Sequence, residues 1–275
     1  LFLVLWIAVG SLELPKNSVL YRLLFLLPRA NRIKEVMETH PASRFGPTKL
    51  SQNPICTGSS VVALMFDDGV VIAADTLLSY GKLARYKGVS RLRKINKKTL
   101  IGVGGDYADY QFLQVLIDAR ESEMKCLEPP GQFNALSLHS WLRSVLYFRR
   151  SRLNPFWNSF VVAGVVGPEN EPYLGTVNLL GVSYTNKYVA TGLGSYLVQQ
   201  LLENALSKRK EEASSLSRKD AMQLMRECIE ILYERDTLAH YEYEVGVVDK
   251  EGCTIYPHLT VSGKWDYATS IQGYE

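Results

Sequence analysis

The stretch Thr57-Gly58-Ser59-Ser60-Val61-Val62-Ala63-Leu64-Met65-Phe66-Asp67-Asp68-Gly69-Val70-Val71-Ile72-Ala73-Ala74-Asp75 holds two apolar runs on either side of a turn. Residues 60–66 are β-branched and apolar, Asp67-Asp68-Gly69 supplies the turn, and residues 70–74 continue apolar. Neither run alternates with polar residues. The pattern therefore predicts a hairpin buried on both faces, which needs cover from a second layer on each side.

Working outward, the chain repeats this grammar. A second strand pair is expected at 92–95 and 99–103, around Asn96-Lys97-Lys98. Gly104-Gly105-Asp106 then opens a helix, with Leu113, Leu116, Ile117, Arg120 and Met124 at helical spacing up to Pro129-Pro130. A second helix is expected over 135–150, with Leu138, Leu142, Val145 and Leu146 on one stripe. Strands follow near 159–166, 173–180 and 188–191, then a helix over 195–206 and another starting at Ser217, an N-cap with Asp220 three residues on. Strands at 242–248 and 254–256 precede a tail.

Strands bunched in runs and helices returned in pairs imply an α+β fold with two sheets stacked between two helical layers. A four-layer αββα sandwich in a single domain fits; a Rossmann sheet would alternate strand and helix singly. The Pro-, Ser-, Thr- and Gly-rich stretch 41–52 reads as a linker. The divisions expected are 1–50, 51–257 and a tail at 258–275.

Composition excludes several classes. At 275 residues and 47% hydrophobic there is material for a sizeable core, and the net charge of +3 argues for no nucleic-acid partner. The basic run 91–98 is interrupted by Leu92, Ile95 and Asn96 and reads as a half-exposed strand. Cys56, Cys126, Cys228 and Cys253 form no CxxC pair, which suits a reducing compartment, and His40, His139, His240 and His258 are far apart. Each histidine is expected at the surface or satisfied in the core. No metal and no cofactor are implied.

Near the start, 1–8 is apolar and Ala8-Val9-Gly10-Ser11 has the form of a signal-peptidase site, but no basic region precedes it. A second apolar run, 19–27, is broken by Arg22 and stopped by Pro28. Neither reaches the ~18–20 residues that span a bilayer, so no membrane partner is expected. A propeptide or a mis-joined upstream segment is favoured over a signal peptide.

The segment from Thr57-Gly58-Ser59-Ser60 to Ala73-Ala74-Asp75 resembles the opening of proteasome beta subunits, a family of N-terminal nucleophile hydrolases. Residues 102–109 resemble that family's glycine turn into its first long helix, and Tyr233-Glu234-Arg235-Asp236 resembles the end of its fourth helix. The resemblance runs from about residue 51 to the C-terminus. Further stretches narrow it to one branch: Ser51-Gln52-Asn53-Pro54, Ser79-Tyr80-Gly81, Leu83-Ala84-Arg85, Gly105-Asp106-Tyr107-Ala108-Asp109, His139-Ser140-Trp141-Leu142, Arg149-Arg150-Ser151 and Asn154-Pro155-Phe156-Trp157-Asn158.

In such hydrolases the freed α-amine, with a pKa near 8, acts as base for the hydroxyl of its own residue. The resemblance puts the nucleophile position at Ser59, the family's lysine at Arg91 and two family serines at Leu193 and Ala239. Asp75, Asp236 and Gly105 remain. Arg91 stays protonated, so it cannot relay a proton, and its planar fork is expected to be too large for the lysine's space. The implied site is degenerate and non-catalytic.

The same resemblance implies propeptide cleavage near Leu50 and Ser51, which would leave the Ser59 nitrogen in a peptide bond. It implies assembly with other alpha and beta subunits in a 28-subunit, four-ring particle of the cytoplasm and nucleus. The aromatic tail, with Tyr256, Leu259, Trp265, Tyr267, Ile271 and Tyr274, is expected to reach the opposite beta ring. The rival readings are an active peptidase using Ser59 and an alpha-ring gating subunit, against which nothing in 1–58 resembles the alpha chains' first helix.

Overall fold

The computed structural model describes residues 54–126, 133–211 and 216–266. Two antiparallel sheets form its centre. The first carries eight strands in the order β10-β9-β8-β7-β1-β4-β5, with β6 also paired to β7. Its members are β1 (Cys56–Gly58), β4 (Leu78–Tyr80), β5 (Leu83–Tyr86), β6 (Leu92–Asn96), β7 (Thr99–Asp106), β8 (Asn158–Val166), β9 (Glu171–Val177) and β10 (Ser183–Thr185). The second carries five in the order β11-β2-β3-β12-β13: β2 (Val61–Phe66), β3 (Gly69–Asp75), β11 (Tyr188–Ala190), β12 (Glu242–Asp249) and β13 (Cys253–Thr260).

The quoted hairpin is β2–β3, with Phe66 opposite Gly69, and every residue of β3 is buried. Alternate residues serve two cores. Val62, Leu64, Val71 and Ala73 face a helical layer with Met225, Cys228 and Leu232. Val61, Ala63, Val70 and Ile72 face the other sheet, meeting Leu92, Leu100, Val161 and Leu174. This two-sided burial explains why the hairpin has no polar face. Helices α1 (Tyr107–Lys125) and α2 (Ala135–Ser151) accompany the eight-stranded sheet. Helices α3 (Gly194–Leu197), α4 (Gln199–Glu211) and α5 (Arg218–Arg235) accompany the five-stranded one. The four-layer α+β sandwich is as expected.

Helix ends follow the sequence closely. Asp106 caps α1 by accepting Asp109 N at 3.0 Å, and Ser217 caps α5 by accepting Asp220 N at 3.3 Å. Elsewhere the structure adds elements. The short strands β1, β4, β5 and β10 were not expected, and the helix expected over 195–206 is two helices joined at Val198. β13 continues past Pro257 to Thr260 because Pro257 sits where the pairing jumps from Val245–Tyr256 to Tyr243–Leu259. At such a bulge its missing N–H breaks no regular ladder.

Candidate functional site

The chain changes sheets at Ser59 and Ser60: β1 ends at Gly58 in the first sheet, and β2 begins at Val61 in the second. This crossover, with the end of β3 and the end of α5, forms a small pocket lined by Ser59, Ser60, Asp75, Ile229, Leu232, Ala239 and His240. It leaves room for about one water molecule.

Arg91 fills the adjoining space. Only 1% exposed, it contradicts both expectations placed on it: it is no part of a half-exposed strand, and its guanidinium does fit. The space exists because residue 58 is glycine; a Cβ there would lie 2.5 Å from Arg91 Cδ. β6 itself keeps a solvated side, where Arg93 pairs with Asp118 at 2.7 Å.

All five guanidinium N–H groups find acceptors. Nε donates to Asp75 O at 2.9 Å. Nη1 donates to Ser59 O at 2.7 Å and Val103 O at 3.3 Å. Nη2 donates to Ser60 O at 2.9 Å and to Asp75 Oδ1. The other Asp75 oxygen accepts His240 N at 3.0 Å. Burial raises the Asp75 pKa above its ordinary value, while the Arg91 charge and hydrogen bond pull it down.

The Ser59 hydroxyl donates to Asp236 Oδ2 at 2.5 Å, and Asp236 Oδ1 accepts Leu238 N at 2.9 Å in the turn after α5. Upstream, the Ser59 nitrogen continues into β1, which pairs with β4 on one side and β7 on the other. Ile55 N also donates to Asp106 Oδ1 at 3.2 Å, so residues 55–58 are held along their length.

Of the expected site residues, Ser59, Asp75, Arg91, Asp236 and Ala239 come together. Gly105, at φ +95°, pairs with Gly58 of β1. Leu193 does not line the pocket and is half exposed; the neighbouring Gly194 N donates to Ser60 Oγ at 2.9 Å. Leu50, Ser51, Tyr267, Ile271 and Tyr274 lie outside the described residues. Trp265 is 56% exposed, with its ring edge-on to Tyr233 of α5 at 5.7 Å. The sequence reading missed Gly58 as the space for Arg91, and it missed Glu244. An acidic residue set between Tyr243 and Val245, inside β12, was the available signal for the latter.

Comparison with known proteins decides what carries this geometry. The sequence profile described as Proteasome subunit matches residues 55–248. The chain belongs to the proteasome subunit family. It is 39% identical over 238 residues to "Proteasome subunit beta type-4" of Xenopus laevis, covering 86% of this chain and 96% of that protein. It is 40% identical over 227 residues to the Drosophila melanogaster protein of the same name, covering 82% and 83%. Against "Proteasome subunit beta type-7" of Saccharomyces cerevisiae it is 35% identical over 240 residues, covering 83% and 87%. The chain is thus a beta-type subunit of the proteasome core particle, which assembles with other alpha and beta subunits.

Among the described residues, no group of His, Cys, Asp and Glu is placed to hold a metal ion, and no helix is long and apolar enough to cross a membrane.

Proposed function

We propose that this chain is a non-catalytic structural and assembly subunit. It helps close the beta ring and join half-particles of the machine that degrades proteins in ATP- and ubiquitin-dependent fashion in the cytoplasm and nucleus. The observation that carries this reading is the saturation of Arg91. With every donor spent on Ser59 O, Ser60 O, Val103 O and the two Asp75 acceptors, the cation is a structural tie. A guanidinium with all five N–H groups committed to fixed acceptors is unsuited to relaying a proton.

The Ser59 nitrogen supports the same reading. β1 pairs on both sides and keeps Gly58 in place; while Gly58 stays joined to Ser59, that nitrogen is an amide with no lone pair basic enough to deprotonate the hydroxyl. Cleavage of the propeptide near Leu50 and Ser51 leaves this arrangement intact. Trp265, Tyr267, Ile271 and Tyr274 then form the arm toward the opposite ring, with Trp265 resting on Tyr233 at its root.

A second reading, a peptidase using Ser59, is favoured by one contact, the short Ser59–Asp236 hydrogen bond. Intact-mass measurement of the chain from purified core particles separates the two. A mature chain starting near Ser51 supports the structural role. A chain starting at Ser59, with a covalent adduct there after treatment with an N-terminal-nucleophile inhibitor, overturns it. Deleting 265–275 should leave half-particles unjoined; full assembly of the truncated chain would remove the arm from the proposal.

A further inference from the structure

Glu244 is a buried charge outside the Ser59 pocket. In β12, Tyr243, Val245 and Val247 belong to the core under α5, while Val248 belongs to the core between the sheets. By alternation Glu244 also points between the sheets, and it is 3% exposed. A carboxylate in that position requires partners from every side. It finds them at the entry to β6: Oε1 accepts Arg91 N at 2.6 Å and Leu92 N at 2.7 Å, and Oε2 accepts the Ser90 hydroxyl at 2.8 Å. Burial raises the Glu244 pKa above the ordinary carboxylate value; the Ser90 hydroxyl and the two amides act against that rise.

Glu244 lies at the bulge where Pro257 and His258, the latter at φ +56°, face β12. The extra residue belongs to β13, while β12 keeps regular register with β3, Glu244 lying opposite Ala74. The groups Glu244 holds are the backbone atoms of the residue whose guanidinium ties the sheet crossover. Arg91 O in turn accepts Val103 N at 3.1 Å, so the Arg91 backbone is held from two directions. Five hydrogen bonds radiating from one side chain require its Cα to be fixed, because a shift of a fraction of an ångström lengthens several of them together.

We propose that Glu244 is a positioning residue for Arg91: it clamps the backbone at 90–92 so that the guanidinium reaches Ser59 O and Ser60 O, and through that reach it keeps β1 seated in the first sheet. The proposal rests on the reading of Ser59 as an internal, uncut residue. Glu244 acts at a distance, since its own contacts are to Ser90, Arg91 and Leu92, whereas the segment it secures is 55–61.

Amide hydrogen exchange read by mass spectrometry, on core particles carrying variant chains, tests this. Glu244→Met removes the acceptors at similar length, Glu244→Gln keeps an acceptor oxygen, and Leu142→Ala weakens the fold in α2, away from the crossover. Glu244→Met is expected to speed exchange in 55–61 and 90–92 by about tenfold or more, while Leu142→Ala leaves both segments unchanged and Glu244→Gln stays near wild type. If Glu244→Met perturbs 90–92 alone, or no more than Leu142→Ala does at 55–61, the coupling is overturned. Should Glu244→Met fail to enter particles, the same comparison on the free full-length chains decides. A wild-type chain lacking peptides from 55–58 would instead show that the uncut reading is wrong, a result distinct from lost coupling.

Discussion

Arg91 and His139 are both buried polar side chains lodged in slots that glycines leave open. A Cβ on Gly58 would meet Arg91 Cδ at 2.5 Å, and a Cβ on Gly175 would meet the His139 ring at 2.9 Å. They differ in charge. The Arg91 guanidinium donates its five N–H groups to one carboxylate oxygen and four carbonyls. His139 is held neutral: Nε2 donates to Thr176 O at 3.0 Å, since a carbonyl only accepts, and Nδ1 accepts from Tyr173 Oη at 2.7 Å. Burial lowers its pKa from the ordinary 6.5, and Arg143 adds to the lowering. A buried charged group here is surrounded by hydrogen-bond partners, whereas two partners are enough for a neutral ring.

The sharpest way to break this contrast is Arg91→Met. It strands the Asp75 carboxylate and should cost about 3–5 kcal/mol of stability, measured by denaturation of the free chain. Arg91→Lys should recover part of that loss, because three ammonium donors cannot serve five acceptors. Full recovery by lysine would show that charge alone matters.

At His139 the effect is smaller and depends on pH. The folded pKa lies below the unfolded value of 6.5, so beneath that pH the unfolded chain binds a proton that the folded chain refuses. Stability should therefore fall as pH drops below ~6.5, by at most ~1.4 kcal/mol per pH unit, until the folded ring itself titrates. His139→Gln should remove this component; an unchanged difference in stability between wild type and variant across pH 7 to 5 would contradict it.

The smallest effect is expected from Ser59→Ala. It deletes one hydrogen bond to Asp236, costs about 1 kcal/mol, and should leave core-particle peptidase activity unchanged. Loss of a peptidase activity would restore Ser59 to catalysis.

The hairpin, the helix start at Gly104-Gly105-Asp106, the cap at Ser217 and the layering were legible because apolar runs, turn residues and capping side chains act within a few residues of one another. Arg91 was misread for the opposite reason. In sequence it looks like the first residue of a basic strand, and its burial depends on Gly58, Asp75 and Glu244, which lie far from it along the chain. The same distance hid the strands β1, β4, β5 and β10. Each has only three or four residues, too few to show a period, and each exists because a neighbour offers an edge. The last strand was expected to end at 256 because only the partner strand's register reveals the bulge that carries it past Pro257.

The position of β1 within its sheet has a mechanical consequence. In the order β7-β1-β4-β5, among the described residues this strand of three alone joins the β4–β5 hairpin to the other strands of the sheet. β5 is exposed throughout, and Tyr80, Leu83 and Tyr86 present large apolar surface there. Severing the chain before Ser59 and losing the upstream piece would cut the one strand that pairs with this hairpin among the described residues, and bare the edges of β7 and β4. Residues 56–58 thus serve as a keystone, and a protease that trimmed them would dismantle one margin of the subunit.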